Sequence, residues 1–265
     1  MIKNKLIKNI KYNKIKVCRV CKSDKLETVV NLGSLYLSNF ISKDELSKIH
    51  CAPLELVLCK GKCNLVQLRH TVQSEILFRN YWYLSGINNS MQKELKNITN
   101  SIETLLKLNK DDFVVDIGAN DGTLLRGYNN KKIKTVGFEP AQNLIELNQK
   151  KTYKIINDFF SFDLWNKNFP NKKSKVITAI GMFYDLDEPN DFVQDLFKCL
   201  ADDGLLVIQM MYLPFFLERN AIDGICHEHL EYYSLSSLEY LLNKHGFNVV
   251  GLDIRENINE GSARF

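Results

Sequence analysis

Apolar and polar positions in the second half of the chain alternate in a pattern typical of strands followed by helices. Apolar runs rich in β-branched residues predict six strands: FVVDIG (113–118), KTVGFEP (134–140), YKIIND (153–158), KVITAIGM (175–182), GLLVIQMM (204–211) and FNVVGLDI (247–254). Helical spacing of apolar residues predicts three helices among them: AQNLIELNQK (141–150), NDFVQDLFKCL (190–200) and SLSSLEYLLNKHG (234–246). This order predicts an α/β fold with a doubly wound sheet, whose ligand lies beyond the carboxyl ends of the strands.

The first half of the chain carries shorter extended segments and one long helix. KLETVVNLGSLYLSNF (25–40) predicts a strand, a turn at Gly33 and further extended chain, and LELVLCKGKCNLVQLRH (54–70) predicts a hairpin. Apolar positions in MQKELKNITNSIETLLKLN (91–109) recur at helical intervals, so we expect residues 71–111 to be mostly helical. Ahead of this helix lies NYWYLSGINNS, an aromatic and polar cluster that is too irregular for a simple core segment.

Two close cysteine pairs in the first quarter of the chain predict a zinc ribbon. They are Cys18-x2-Cys21 and Cys59-x3-Cys63, and each pair can hold one edge of a tetrahedral Zn²⁺. The alternative is four unrelated buried thiols. Cys51 lies near both pairs but lacks a partner at ligand spacing, so we leave it out of the predicted site.

Composition narrows the class of protein. The 265 residues are 45% hydrophobic and 25% charged, which is ordinary for a globular protein with a buried core. The chain has no apolar run of the ~20 residues that span a bilayer and no signal-peptide pattern, so we expect a cytoplasmic protein without a membrane partner. Residues 1–16 carry six lysines and no acid, which favours a solvated basic tail over a nucleic-acid-binding one.

The first strand of the predicted sheet runs into the loop DIGANDGT (116–123). Gly118 lets the backbone pass close to a ligand, because glycine has no side chain in the way. A dinucleotide site would read GxGxxG and would hold an anion, whereas this loop is acidic. Carboxylates suit a cationic ligand with hydroxyl groups, such as S-adenosylmethionine (SAM), which carries a sulfonium and an amino group.

The next two strand ends carry the matching chemistry. Glu139 follows the loop by about twenty residues, where an acidic side chain accepts hydrogen bonds from both ribose hydroxyls. Asp158 with its adjacent aromatic residues can bond the adenine amino group and cover its ring. The predicted SAM-binding residues are Asp116, Gly118, Asn120, Asp121, Gly122, Glu139, Pro140, Asn143, Asp158, Phe159, Phe160 and Gly181.

The densest polar cluster in the chain is AIDGICHEHLEYYS (221–234). If this segment is extended, His227 and His229 share one face and Glu228 takes the other. A histidine beside a carboxylate suits general-base catalysis near neutral pH. Two alternatives stay open: a metal-binding pair, although HEH lacks the spacing of HExxH, and a purely structural histidine pair.

Taken together, these motifs resemble the nucleotide-sugar C-methyltransferases. The resemblance rests on the cysteine pairs, CNLVQL, YWYLSG, DIGANDGT, GFEP, NDFF, HEHLEYYS and EGSAR, and it covers almost the entire chain. These enzymes are similar to the one that places the C-3′ methyl branch on deoxysugars of macrolide antibiotics. The resemblance implies a class I SAM methyltransferase domain with a Rossmann-like doubly wound sheet, preceded by a small zinc-ribbon-like domain. We also expect that most of the family's C-terminal domain is lacking after Phe265.

The resemblance also implies a reaction and the residues that carry it. The substrate is a nucleoside-diphospho-4-keto-6-deoxy sugar, from which a base removes the proton on the carbon beside the ketone; the resulting enolate attacks the SAM methyl group. The family's base corresponds to His229, with Glu228 as its neighbour and His227 preceding both. Tyr81 and Tyr83 fall in the family's tyrosine motif near the active site.

Three departures from the family pattern leave other functions open. Cys226 stands where tyrosine is common, Asp185 stands where histidine is common, and Glu260 begins a motif that usually reads GGSxR. The alternatives are an O- or N-methyltransferase acting on a sugar or other small molecule, an RNA- or protein-binding module, and a remnant that binds SAM without turnover. The oligomeric state does not follow from the sequence. The predicted organisation is a basic tail (1–16), a zinc-binding domain (17–70), a helical linker with the substrate-site tyrosines (71–110) and a SAM-dependent methyltransferase domain (111–265).

Overall fold

The computed structural model describes residues 8–38, 50–148, 152–258 and 261–265. Residues 1–7 of the predicted tail and Glu260 of the EGSAR motif lie outside these ranges. Within them, none of the helices has the length and apolar character required to cross a membrane.

Short strands make up the N-terminal part of the chain. They are β1 (Lys8–Asn9), β2 (Tyr12–Lys14), β3 (Leu26–Tyr36), β4 (His50–Cys59), β5 (Val66–Leu68) and β6 (His70–Val72). β4 pairs antiparallel with β3 and with β5, which confirms the predicted hairpin. The predicted turn at Gly33 is wrong, because Gly33 lies inside β3 with a φ of 77° at a register shift against β4. A left-handed glycine serves a bulge as well as a turn, and the letters alone do not distinguish them.

Two helices precede the large sheet, α1 (Ser74–Phe78) and α2 (Asn89–Leu105). The side chain of Asn88 caps α2 by accepting the backbone N–H groups of Ser90 and Met91. The non-helical residues 79–88 separate the two helices and carry the YWYLSG motif. The predicted helical region is therefore interrupted at its aromatic cluster.

A seven-stranded sheet with helices between its strands forms the rest of the fold. Its seven strands are β7 (Phe113–Ile117), β8 (Lys134–Phe138), β9 (Lys154–Ile156), β10 (Ser174–Ile180), β11 (Leu200–Met211), β13 (Asp253–Arg255) and β14 (Ser262–Arg264). One further strand of this region, β12 (Glu231–Tyr232), belongs to the N-terminal sheet. The helices are α3 (Thr123–Gly127), α4 (Ile145–Asn148), α5 (Phe162–Asn168), α6 (Pro189–Cys199), α7 (Leu213–Glu218) and α8 (Leu235–Lys244).

The order of this sheet is β13-β14-β11-β10-β7-β8-β9. The pairs from β11 to β9 are parallel, whereas β14 runs antiparallel to both of its neighbours. All five residues of β7 are buried, because the strand lies at the centre of the sheet with helices on its faces. The predicted doubly wound α/β sheet is confirmed.

The predicted strand at 247–254 forms only at its end. β13 begins at Asp253 and exists only where β14 lies beside it, with Asp253 opposite Arg264 and Arg255 opposite Ser262. Residues 247–252 adopt no strand. Alternation of apolar residues predicts which face of a strand would be buried, but a strand also needs a neighbour for its backbone groups.

β12 crosses from one region of the fold to the other. It follows directly after the HEH motif and pairs antiparallel with β5, with Glu231 opposite Gln67 and Tyr232 opposite Val66. The N-terminal sheet therefore runs β1-β4-β5-β12, with β3 on the other side of β4. The segment predicted to carry the base thus leads into a strand of the N-terminal sheet.

A buried ion pair ties α2 to the large sheet. Arg264 of β14 donates from Nη2 to Glu94 Oε1 at 2.6 Å and from Nε to Gln209 Oε1 at 2.8 Å. Arg264 is 8% exposed and Glu94 is 3% exposed. Burial raises the pKa of Glu94, but hydrogen bonds from Arg255 and Arg264 outweigh it and leave that pKa below its usual value.

We predict that Arg264→Ala lowers the free energy of unfolding by about 1.5–3 kcal/mol, because Glu94 loses one charged hydrogen-bond partner and keeps only Arg255. The control is Glu256→Ala at the exposed ion pair with Arg219, whose atoms lie 3.8 Å apart; its cost should be about 0–1 kcal/mol. Urea denaturation followed by circular dichroism measures both. Equal costs for the two variants would contradict the prediction.

Candidate active site and metal centre

The four predicted metal ligands come together in one cluster. The Sγ atoms of Cys18, Cys21, Cys59 and Cys63 all lie within 4.8 Å of one another. Sulfur atoms at ~2.3 Å from a tetrahedral Zn²⁺ would be ~3.8 Å apart, so the cluster fits this ion. The described residues contain no second cluster of three or more potential metal ligands. The HEH histidines therefore have no third metal ligand among them.

Hydrogen-bond donors surround the sulfur atoms. The side-chain amide of Gln67 donates to Cys18 Sγ at 3.1 Å, and the backbone N–H of Gly61 donates to Cys59 Sγ at 3.3 Å. The hydrogen bond with Cys63 lowers the pKa of the Cys18 thiol to about 5. Donors of this kind orient thiolate ligands and are typical of structural zinc sites.

A cavity of about 810 Å³ opens beyond the carboxyl ends of the parallel strands. Its volume lies in the range of small-molecule sites. Of the five predicted catalytic residues, Tyr81, Tyr83 and Glu228 line it, whereas His227 and His229 do not. Eight predicted SAM-binding residues also line it: Gly118, Asn120, Glu139, Pro140, Asp158, Phe159, Phe160 and Gly181.

Glu139 has the geometry expected of a group that binds hydroxyls. Its Oε2 accepts the backbone N–H of Asn120 at 2.6 Å and its Oε1 accepts that of Ala141 at 2.8 Å. Each carboxylate oxygen has a second lone pair, so two acceptor positions remain for a diol. The neighbouring Gly118 has a φ of 70°, and a Cβ there would meet Met182 at 3.1 Å. The residues present therefore fit a ribose-bearing ligand.

Asp116, Asp121 and Gly122 do not line this cavity. Asp116 is buried and accepts the Thr178 hydroxyl at 2.6 Å, and burial raises its pKa to about 7. Asp121 accepts the backbone N–H of Gly86 at 2.9 Å, and Gly122 precedes α3 in the left-handed conformation. These three residues fix the conformation of the loop and do not form part of the cavity wall.

Amide side chains tie the aromatic segment to the loops that are predicted to bind SAM. Asn143, which also lies outside the cavity lining, accepts the Tyr81 backbone N–H at 3.0 Å and donates to the Tyr81 carbonyl at 2.8 Å. Asn120 accepts the Ser85 N–H at 2.9 Å and donates to the Tyr83 carbonyl at 3.0 Å. The two tyrosines are therefore held by residues that the sequence assigned to the cofactor.

The HEH motif is bent at residues 227–228 rather than extended, so its three side chains point in separate directions. The buried His227 hydrogen-bonds through Nε2 to the Ala52 carbonyl at 3.0 Å, on the side of the N-terminal sheet. Glu228 lines the cavity, and its Oε2 is buried without a partner. His229 packs edge-on against the ring of Tyr184, at 4.5 Å between ring centres.

His229 has the tautomer and charge that a general base requires. Its Nδ1 lies 2.9 Å from the Gly224 carbonyl, and because a carbonyl only accepts, Nδ1 carries the hydrogen. Nε2 of the neutral ring then keeps its lone pair. Burial lowers the pKa of His229, so the ring is uncharged at neutral pH.

Three residues in or beside the cavity were not among the predicted site residues: Tyr184 and Asp185 line it, and Arg79 contacts lining residues. Arg79 donates to Asp158 Oδ1 at 2.8 Å and lies 4.8 Å above the ring of Phe159. Tyr184 contacts His229, and Asp185 lines the cavity with Oδ1 buried and without a partner. The one signal for Asp185 was its departure from the family's histidine; nothing local marks Arg79 or Tyr184.

We predict about one Zn per chain by metal analysis of the purified protein. Cys18→Ser should lose the metal, because a hydroxyl is a poor substitute for a thiolate ligand. Cys51→Ser should keep it, since Cys51 is not in the cluster. A metal-free protein that is fully folded would rule the zinc site out.

Comparisons with known proteins agree with both regions of the fold. A family model described as "Methyltransferase domain" matches residues 88–252, which is more than half of the chain. A second, described as "Putative zinc binding domain", matches residues 18–78. The first region contains the strand ends that line the cavity, and the second contains all four clustered cysteines.

Individual relatives were found by sequence and by structure. The chain is 28% identical over 236 residues to C-methyltransferase NovU of Streptomyces niveus; the match covers 88% of this chain but only 56% of that protein. In fold it is similar to a SAM-dependent methyltransferase of Leishmania major (TM-score 0.52, 14% identity, 68% and 73% of the two chains). It is also similar to the magnesium protoporphyrin IX methyltransferase of Synechocystis with bound SAH (TM-score 0.51, 11% identity, 67% and 85%).

The family match, the doubly wound sheet and the cysteine cluster lead to one assignment. The chain belongs to the SAM-dependent methyltransferase family, with a zinc-binding domain ahead of its methyltransferase domain.

Proposed function

We propose that this protein methylates a carbon atom of a nucleoside-diphospho-4-keto-6-deoxy sugar through an enolate. The observation that carries the proposal is His229, a neutral imidazole with its hydrogen fixed on Nδ1, which packs against Tyr184 of the cavity lining and follows Glu228, also of the lining, in the chain. A carbon acid needs a base, whereas an oxygen or nitrogen nucleophile needs none as strong. The relative named a C-methyltransferase supports the same reaction type.

In this proposal the strand ends bind SAM. Glu139 accepts the ribose hydroxyls, and Asp158 with Phe159 and Phe160 holds the adenine. The glycines at 118 and 181 leave room for the ligand where a side chain would intrude. When bound, SAM supplies the methyl group as an electrophile. Asp116, Asp121, Gly122 and Asn143 hold the loops in shape.

The other end of the cavity takes the sugar. His229 Nε2 accepts the proton from the carbon beside the ketone, and Glu228 with Tyr81 and Tyr83 orients the sugar. His227 fastens the loop to the N-terminal sheet through Ala52. We propose the same four-part organisation of the chain, with residues 17–70 binding zinc and residues 111–265 binding SAM, and with β12 as the link between them.

We predict that His229→Asn lowers the rate of solvent exchange of the proton beside the ketone by at least ~100-fold, because the variant lacks the base. NMR in D₂O measures the exchange, with thymidine-diphospho-4-keto-6-deoxyglucose as the probe. SAM affinity should not change. In the unaltered protein the rate should hold through neutral pH and fall only below the usual histidine pKa of about 6.5, since burial lowers the pKa of His229.

The matched control is His245→Asn. His245 follows α8, whereas HEH precedes this helix, and the His245 ring hydrogen-bonds to Asn190. This variant should exchange at the normal rate. If His229→Asn exchanges as fast as the control, His229 is not the base.

We predict that Glu139→Ala raises the Kd for SAM by about 10-fold or more, because hydrogen bonds to a charged group are worth about 1.5–3 kcal/mol. Isothermal titration calorimetry measures the affinity, and thermal melting checks the fold. Glu146→Ala, which removes an exposed acid on the next helix, should leave the affinity unchanged. Equal affinities for the two variants would place the ribose elsewhere.

A further inference from the structure

Two carboxyl groups line the sugar end of the cavity, and each has one buried oxygen without a hydrogen-bond partner. Asp185 follows β10, and Glu228 precedes the proposed base. Oδ1 of Asp185 and Oε2 of Glu228 are both buried, and neither accepts a hydrogen bond from any part of the chain that the structure describes. Glu228 as a whole is only 8% exposed. Orphaned oxygens in a ligand cavity indicate that a ligand group completes them.

Backbone hydrogen bonds bring the two carboxyl groups together. The carbonyl of Tyr184 accepts the N–H of Leu230 at 2.8 Å and that of Glu231 at 3.0 Å. The loop that carries Asp185 and the loop that carries Glu228 therefore meet at one point. Tyr81 lines the same cavity, and burial and then the charges of Asp185 and Glu228 raise the pKa of its hydroxyl.

Two buried carboxyl groups at one site do not both ionise readily. Burial raises the pKa of Asp185 well above its usual value, and the charges of Glu228 and Glu231 raise it further. The other groups that face this place supply no positive charge: His229 is neutral, and Tyr81, Tyr184 and Cys226 stay protonated because burial raises their pKa values. Arg19, the cation beside Glu231, is already shared by Asp187 and Glu231.

We propose that Asp185 is a carboxylic acid that donates a hydrogen bond to the substrate oxygen on which negative charge develops. This inference rests on the proposed function. His229 Nε2 takes the proton from carbon, the C–H electron pair forms a carbon–carbon double bond, and the carbonyl π electrons move to the oxygen that Asp185 contacts. As this carbon bonds the methyl group of SAM, the carbonyl re-forms and the methyl–sulfur pair stays on sulfur. Asp185 keeps its proton throughout.

A pair of substitutions distinguishes whether Asp185 acts as a protonated carboxylic acid or as a charged carboxylate. Asp185→Asn keeps a neutral donor of similar size, whereas Asp185→Ala removes it. Proton exchange is measured with the thymidine-diphospho-4-keto-6-deoxyglucose probe and its uridine counterpart. We expect Asp185→Asn to stay within about tenfold of the unaltered protein and Asp185→Ala to lose about 10²–10³-fold, as for one lost oxyanion donor. Equal, large losses would overturn the proposal, because they would mean that Asp185 works as a charged carboxylate, for instance toward an amino group.

A second readout does not depend on the sugar. The infrared difference spectrum of the unaltered protein minus Asp185→Asn, taken at neutral pH, should show the carbonyl stretch of one un-ionised carboxylic acid. Asp191→Asn, which changes an exposed acid of α6, should give no such band. A spectrum without the band overturns the proposal, and SAM affinity confirms that each variant is folded. A protein that shows the band but exchanges neither probe would refute the proposed function instead, and with it the role at the enolate oxygen.

Discussion

The acceptor half of the site depends on one backbone carbonyl, that of Tyr184. It accepts two successive N–H groups, those of Leu230 and Glu231, at 2.8 and 3.0 Å. The Leu230 carbonyl in turn accepts the N–H of Leu68 in β5 at 2.8 Å. The segment after HEH is therefore held on one side by the loop after β10 and on the other by the N-terminal sheet. Because both contacts fall within two residues of His229, its ring has little freedom to reorient.

The cysteine cluster acts on this segment from a distance. Arg19 lies between Cys18 and Cys21, is only 2% exposed, and donates to the Leu68 carbonyl at 2.6 Å. Its Nε is 3.7 Å from Glu231 Oε1. Burial raises the pKa of Glu231, and the positive charge of Arg19 opposes that rise. A closed four-cysteine site has no open position for chemistry, so its contribution is to fix the knuckle that carries Arg19 and thereby the sheet edge on which β12 forms.

How far the sequence predicts this arrangement depends on how local each feature is. The strand ends that carry Gly118, Glu139 and Asp158 follow from periodicity alone, because the ends of parallel strands meet at one edge of the sheet. The bend in HEH follows from contacts with residues far away in the chain, Ala52 and Tyr184, which no local pattern contains. For the same reason the sequence wrongly predicts a strand at residues 247–252. It does not show how far the neighbouring strand β14 extends.

The backbone conformation of the GANDG loop (118–122) explains its residue types better than its charge does. Gly118, Asn120 and Gly122 all have a positive φ, at 70°, 51° and 77°. Asparagine is among the few residues with a side chain that tolerate this conformation, so the loop can turn tightly and still present an amide at its centre. The backbone N–H of Asn120 binds Glu139 at 2.6 Å, while its side chain holds Tyr83 and Ser85. A ligand that binds Glu139 would therefore contact a side chain that is hydrogen-bonded to Asn120, and Asn120 also positions the aromatic segment. In the proposed function, Asn120 therefore couples SAM binding at Glu139 to the position of Tyr83.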